Sequence, residues 1–391
     1  MAHLYNNDWS FRASLGAIAG TRPKLKQTIN SGFQPVTVEL PAQNTTIQPG
    51  NLIVITEEGG DATGAAPAGT PVIGGIVEQV PDTLDVKGWR HEITITPFVA
   101  ELGDAYLNKN YVVPTDVAQM VRDAVSQTNH LRYTSVSIPT STGVTALYNF
   151  SYAPCLEVID HARLIAGTNY SWFVDAIGVV WFQALNPNAR ATYTITPKDF
   201  TSLVSNGGDI SGLKNFILVV GDIPPGGTAA ATATYSNATS QAKYNTRSLQ
   251  PPVGVPGVSD TTTLQNIANT LGGVYDRVIN RVVIELPAYG NRILLGQPGG
   301  ATMRYFSPAK YSLVESETGT GTYSANYVVL DVETDGIQQT VTIGDVPPSV
   351  ASDPSFMVEG LTRRLLTSGI FTPPMKTNAM NVMGPQGAIG H

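Results

Sequence analysis

The stretch PCLEVIDHARLIAGTNYSWFVDAIGVVWF, running from Pro154 to Phe182, carries the clearest structural pattern in the chain. Leu156, Ile159, Ala162 and Ala166 recur at helical spacing after Pro154, and Gly167 supplies a stop. Tyr170, Trp172 and Val174 then alternate with Ser171 and Phe173. Asp175 to Gly178 reads as a turn, and Val179 to Phe182 as the returning strand. One short helix and two short strands bury little by themselves, so this unit must dock on something larger. Outward from it, the chain is β-rich on both sides.

Composition narrows the possibilities. The chain has 391 residues, enough for several domains, and a net charge of −7. A surface built to hold phosphate needs clustered Lys and Arg, and an acidic chain argues against one as the main business. Only 14% of residues are charged, against about 25% in an average globular protein. With 38 Gly and 27 Pro, this points to many turns, a β-rich fold and extensive surface facing other protein. The single cysteine, Cys155, excludes an intramolecular disulfide framework and reads as a small packed group. The opening MAHLYNNDWSF lacks the basic-then-apolar pattern of a leader, and no apolar run reaches membrane-spanning length. Synthesis in a reducing cytoplasm is expected.

Before the central stretch, Val36, Val38 and Leu40 alternate with polar residues, Leu52 to Thr56 and Val72 to Val80 are apolar strands, and Ile93 and Ile95 alternate again. Thr115 is the expected cap of a helix bearing Val117, Met120, Val121, Ala124 and Val125 on one face. After it, Phe216 to Val220 is a strand, and Ser259-Asp260-Thr261 caps a helix stopped at Gly272-Gly273. Strands follow at Val278 to Leu286, Tyr311 to Glu315, Tyr327 to Glu333 and Thr340 to Ile343. The expected fold class is α+β and β-dominated: two small tube-like β-barrel domains, an inserted helix-plus-hairpin domain, and short capping helices. The expected divisions are an N-terminal arm (1–33), a first barrel (34–105), a peripheral α+β domain (106–190) and a β segment joining or completing the second barrel (191–223). A Gly/Pro/Ala/Thr-rich loop (224–258), the second barrel (259–350), a C-terminal helix (351–371) and an extended tail (372–391) follow.

A weak internal repeat runs through the two β regions. Pro49-Gly50, Ile76-Val77-Glu78 and Ile93-Thr94-Ile95 in the first match Pro298-Gly299, Leu313-Val314-Glu315 and Val341-Thr342-Ile343 in the second. Two related domains account for the match, and so does chance similarity among hairpins.

Catalytic chemistry is not legible. There is no Gly-x-Ser-x-Gly, His-Glu-x-x-His or P-loop pattern. Asp160-His161 resembles an acid–base pair, but neighbours on a helix point about 100° apart. Gly319 to Ser324 lacks the third glycine and following helix of a dinucleotide loop. Asp331-Val332-Glu333-Thr334-Asp335-Gly336 begins like a calcium loop, yet its twelfth position is Thr342, so a hairpin at Asp335-Gly336 is the better reading. Trp172, Phe173, Trp181 and Phe182 could stack on sugar rings, but in alternating strands behind a helix they read as core. No catalytic, cofactor-binding or metal-ligating residue is assigned.

The order of parts, with the helix Pro154-Cys155-Leu156-Glu157-Val158-Ile159 to Ala166-Gly167 and the hairpin Tyr170 to Asp175 and Val179 to Phe182, resembles the baseplate-hub or tail-tip hub proteins of tailed bacteriophages and related contractile injection particles. A strand with Asn215 and Val219-Val220-Gly221, a capped helix and a second β region continue the likeness, which covers about 34–367. The resemblance implies a structural virion protein of the tail tip or baseplate, without enzyme activity or cofactor. It implies a homotrimer whose barrels ring a channel and join a six-fold tube to a three-fold tip. Its implied partners are its own copies, a tail-tube or distal tail protein, and a tip, spike or fibre protein, with DNA only in transit. A carbohydrate-binding adhesin or receptor-binding tail protein is the alternative, and a glycan hydrolase a more distant one.

Overall fold

The computed structural model describes residues 1–15, 24–41, 47–57, 70–85, 88–166, 170–184, 193–195, 201–255, 259–287, 308–315, 321–335 and 338–344. The predicted C-terminal helix (351–371), the tail (372–391), Gly167 and the Pro298-Gly299 end of the repeat lie outside the described residues.

In chain order, the strands begin with β1 (Ala2–Tyr5), β2 (Phe11–Ser14), β3 (Leu25–Thr28), β4 (Gly32–Phe33), β5 (Val36–Pro41), β6 (Leu52–Glu57), β7 (Thr70–Gln79), β8 (Asp82–Asp85) and β9 (Gly88–Pro97). A one-turn helix α1 (Glu101–Asp104), strand β10 (Tyr106–Asp116), helix α2 (Val117–Val125), strand β11 (Thr145–Pro154) and helix α3 (Cys155–Ala166) form the next group, closed by the hairpin β12 (Tyr170–Val174) and β13 (Val180–Ala184). Then come β14 (Tyr193–Ile195), β15 (Ser202–Asp209), β16 (Phe216–Val220), β17 (Thr232–Ser236), α4 (Ala238–Tyr244), β18 (Val253–Gly254) and α5 (Thr261–Tyr275). Strands β19 (Ile279–Pro287), β20 (Pro308–Glu315), β21 (Gly321–Thr334) and β22 (Gln338–Gly344) complete the described fold.

The tube-like barrels expected from the sequence are not formed. The first sheet has the order β2-β1-β6-β7-β9-β5 with β8 on β9, and the second β14-β20-β21-β22-β19-β15 with β3 and β4 attached to β21. Among the described residues neither pair of end strands meets, so both sheets stay open and blade-like. Closure requires the end strands to pair, and alternation of apolar residues is the same in an open sheet as in a closed one. Nor do the helices cap barrels. Helices α2 and α3 pack on each other and on the β10–β11 ribbon, and α5 packs on a separate three-stranded sheet, β17-β16-β18.

The described strands within 1–33 join both sheets. Strands β1 and β2 extend the first sheet, with Ala2, Leu4 and Tyr5 buried, while β3 pairs with β21 of the second. Within 224–258 lie β17, α4 and β18. Ala231, Ala233, Leu249, Val253 and Val255 close a core with Leu264, Ile267, Ala268 and Leu271 of α5. Small residues let α5 sit close to the sheet. The helix also runs through Gly272-Gly273 instead of stopping there, and a Cβ on Gly272 would lie 2.3 Å from the Tyr235 ring.

The two large sheets contain the same four-strand unit. In the first, β6, β7 and β9 form an antiparallel meander and the preceding β5 pairs back onto β9. In the second, β20, β21 and β22 form the meander and the preceding β19 pairs back onto β22. The Ile93-Thr94-Ile95 and Val341-Thr342-Ile343 triplets occupy matching places: Ile93 and Ile95 face Val38 and Val36, while Val341 and Ile343 face Ile284 and Val282. The other sequence match is displaced by one strand, since Ile76-Val77-Glu78 lies on β7 and Leu313-Val314-Glu315 on β20, the topological counterpart of β6.

Candidate interaction surfaces

The helix–hairpin unit sits where the parts of the chain converge. Trp172, Phe173, Val180 and Phe182 are completely buried and Trp181 nearly so, so the hairpin is covered on both faces. This removes the aromatic cluster as an exposed sugar platform and agrees with its reading as core. Toward the second sheet, Asn30 donates its backbone N–H to the Trp172 carbonyl at 2.8 Å, Gln27 Nε2 donates to the Val174 carbonyl at 3.0 Å, and the Ile29 N–H donates to Leu330 at 2.9 Å. Toward the first sheet, the turn brings the Ala176 carbonyl so close to Gly74 that a Cβ there would lie 2.0 Å from its oxygen. The turn itself is held by Asp175, whose Oδ1 accepts from the N–H groups of Ile177 (3.0 Å) and Val179 (2.8 Å). Its Oδ2 accepts from Trp181 Nε1 at 3.0 Å. Burial pushes the Asp175 carboxyl up to about 6, against those bonds and the nearby positive charge of Arg132.

Asp160 and His161 do not act together. Asp160 Oδ1 accepts from Trp172 Nε1 at 2.9 Å, whereas His161 Nδ1 pairs with the Tyr148 hydroxyl on the ribbon. Each secures a different neighbour of α3. His130 likewise pairs with Glu101 and, through Nε2, with Asn7 Oδ1 at 2.6 Å, fastening the 126–138 segment to α1 and the β1–β2 connection. On α2 the cap is Asp116, one residue beyond Thr115, accepting from the Ala118 N–H at 2.9 Å. Burial raises the Asp123 carboxyl, but donors from Lys109 (2.7 Å), Tyr111 (2.6 Å) and Gln119 (2.9 Å) outweigh it and leave it below its ordinary value. Cys155 is buried, and burial pushes its thiol up to about 11, as befits a packing group. Asp335 accepts from the Gln338 N–H at 2.8 Å between β21 and β22, in the hairpin expected there instead of a calcium loop.

The outward face most suited to another protein is the β10–β11 ribbon. Leu107, Tyr111, Ala146, Tyr148 and Phe150 point inward, while Tyr106, Val112, Val113 and Tyr152 are exposed by 57–75%. Two register breaks produce this display, between Leu107 and Lys109 and between Tyr111 and Thr115. Tyr152 lies at the first with φ of 51°, an uncommon conformation for a bulky residue. Bulges of this kind re-aim side chains at the rim of a sheet. Sequence reasoning missed these residues, because bulges interrupt the alternation that would have marked them.

Among the described residues no cluster of His, Cys, Asp or Glu is arranged to hold a metal ion, and no helix is long and apolar enough to cross a membrane.

No protein-family model matches this chain, and no curated protein matches it in sequence. Solved structures do. A prophage tail protein of Listeria monocytogenes aligns with a TM-score of 0.53 at 12% identity, over 92% of this chain and 99% of its own. A 43 kDa prophage tail protein of Shewanella oneidensis aligns with a TM-score of 0.54 at 10% identity, over 89% and 98%. A tail protein of Neisseria meningitidis aligns with a TM-score of 0.52 at 10% identity, over 88% and 96%. At such identities the likeness is one of fold: this chain has the fold of phage tail proteins over most of its length.

Proposed function

We propose that this protein is a structural component of a phage-type tail, a central hub at the tail tip or baseplate that works through its surfaces and not through catalysis. The observation that carries the reading is the four-strand unit present twice in one chain. Three copies would present six such units, which fits a ring joining a six-fold tube to a three-fold tip. The shared fold with prophage tail proteins supports the tail assignment, and the low charge density suits a chain whose surface faces other subunits and a channel through which DNA slides without being held. On this reading the partners are two further copies, a tail-tube or distal tail protein on one side, and a tip, spike or fibre protein on the other. The protein resides in the virion tail.

Light scattering on the purified chain tests the assembly. A mass three times that of the 41.5 kDa chain, with three-fold ring views in electron micrographs, is the expected result. A monomer at all concentrations that also fails to join tail-tube protein removes the hub reading.

A further inference from the structure

We propose that residues 237–247 form a strap that opens as one unit while the sheet and helix beneath it stay folded. Two polar side chains, Asn215 and Asp276, hold it shut against a strained hinge at Asn245. The strap follows β17, runs through α4 and returns beside the start of β16. No side chain of α4 is buried, and none joins the apolar cluster formed by α5 and the β17-β16-β18 sheet. That cluster takes in Ala231 and Ala233 before the strap and Leu249 after it, with Tyr235 packed against it. Apolar packing therefore anchors the chain on either side of the strap, and polar contacts hold what lies between.

Asn215, completely buried just before β16, reaches every part of the strap. Its carbonyl accepts from the Asn237 N–H at 3.2 Å and from Gln241 Nε2 at 3.2 Å. Its Nδ2 donates to Ser240 Oγ at 3.3 Å and to the Asn245 carbonyl at 2.8 Å, and its Oδ1 accepts from the Arg247 N–H at 2.7 Å. Asp276, just past α5, accepts from Asn237 Nδ2 at 2.6 Å and from Ser240 Oγ. Its third donor, the Tyr235 hydroxyl at 2.9 Å, comes from β17 and stays when the strap lifts. Each bond broken on opening can be remade with water, and α4 withdraws no side chain from a core. Opening thus costs far less than unfolding the sheet and α5. Asn245 pulls the other way. It closes α4 at φ 62° and ψ 171°, a backbone region essentially reserved for glycine, and opening relieves that strain. Opening also frees the Asn215 and Phe216 N–H groups, which both donate to the Arg247 carbonyl, at 3.0 and 3.2 Å. The start of the β16 edge is then bared, with donors able to pair with an incoming strand.

Hydrogen exchange on the full chain at low urea concentrations, read by mass spectrometry with fragmentation to single residues, tests the strap. The Gln241 N–H is bonded within the strap to the Asn237 carbonyl at 2.9 Å. It and the Arg247 N–H should share one opening equilibrium, at least about a hundredfold more favourable than that of the Ile267 and Leu271 amides of α5. That opening should depend little on urea, because little surface is exposed. If both amides instead open with α5 and with its urea dependence, only global unfolding frees them and the strap is overturned. Different openings for Gln241 and Arg247 also overturn it, because α4 then frays alone. Asn237→Ala removes the cap bonds to the Thr239 and Ser240 N–H groups and one donor to Asp276. It should favour the opening of both amides about fivefold and leave α5 unchanged. A response at Gln241 without one at Arg247 overturns the single unit. Asn245→Gly should disfavour opening, since glycine adopts that backbone freely, and easier opening in this variant removes the strained hinge and the proposal with it.

Discussion

The first and second four-strand units share a strand order but meet the rest of the protein differently. The first receives the hairpin directly, at the gap left by Gly74 in β7, where the Ala176 carbonyl enters. The second receives it through an intermediary: β3, from the start of the chain, pairs with β21 and hands Gln27 and Asn30 to the hairpin backbone. A missing side chain makes one contact, and a strand borrowed from far away makes the other. The two copies are thus differentiated in different places, one within a shared strand at Gly74 and the other by β3, a strand added from outside the unit.

Removing what both contacts depend on should have the largest effect. Trp172 is fully buried, its indole N–H donates to Asp160, and its backbone pairs with Asn30. Trp172→Ala is expected to cost about 4 kcal/mol, through the cavity left in the core and the loss of the indole donor to Asp160. Urea denaturation measures it. A loss of under about 1 kcal/mol, the range of ordinary surface changes, would mean the hairpin is peripheral.

A change at the first contact alone should cost less. In Gly74→Ala the new methyl would meet the Ala176 oxygen and the Phe98 ring, at 2.0 and 3.1 Å before relaxation, and both must shift. About 2–3 kcal/mol is expected, the usual cost of overpacking a tight site. Gly103→Ala is the control, because a Cβ there meets nothing within 4 Å. It should be neutral or slightly stabilising, since Gly costs about 1 kcal/mol relative to Ala in a helix. Hydrogen exchange should place the Gly74→Ala damage at the turn and the first sheet, with β19 and β22 protected as before.

The legible parts of this structure are the locally determined ones. Helical spacing from Leu156 onward, the apolar face of α2, the Asp175 turn and the Asp335 hairpin each rest on residues close in sequence, and each appears in the structure. What sequence could not convey depends on distant partners. Whether a sheet closes is decided by its end strands, and neither Val36–Pro41 nor Phe11–Ser14 says which strand it will meet. The peptide Ala2–Tyr5 is too short to announce a buried strand, and only pairing with β6 makes it one. In 224–258, the apolar residues that pack on α5 are spread among Thr, Gly and Ala, so composition concealed them. The repeat was visible at Ile93-Thr94-Ile95 and Val341-Thr342-Ile343 but misassigned at Leu313-Val314-Glu315. Similar tripeptides occur on many strands, and only pairing tells which strands correspond. No candidate site was named from sequence. The exposed ribbon face appeared only once the bulges placing Tyr152 and Val113 were seen.

The smallest expected effect gives the finest test of equivalence. Ile95 and Ile343 close the matching triplets and both are completely buried, yet they belong to different cores. Ile95 packs within the first sheet's own cluster, while Ile343 joins the cluster that contains the hairpin, α2 and α3. Ile95→Val and Ile343→Val each remove one methylene, and each should cost about 1 kcal/mol. Because the two residues share no cluster, the double variant should show the sum to within about 0.5 kcal/mol. A larger interaction energy would mean that strain passes from one unit to the other through the hairpin, and that the two cores act as one. Additivity would mean that the two clusters pack independently, even though the larger one takes Leu52 and Val54 of the first sheet together with Val282 and Ile284 of the second.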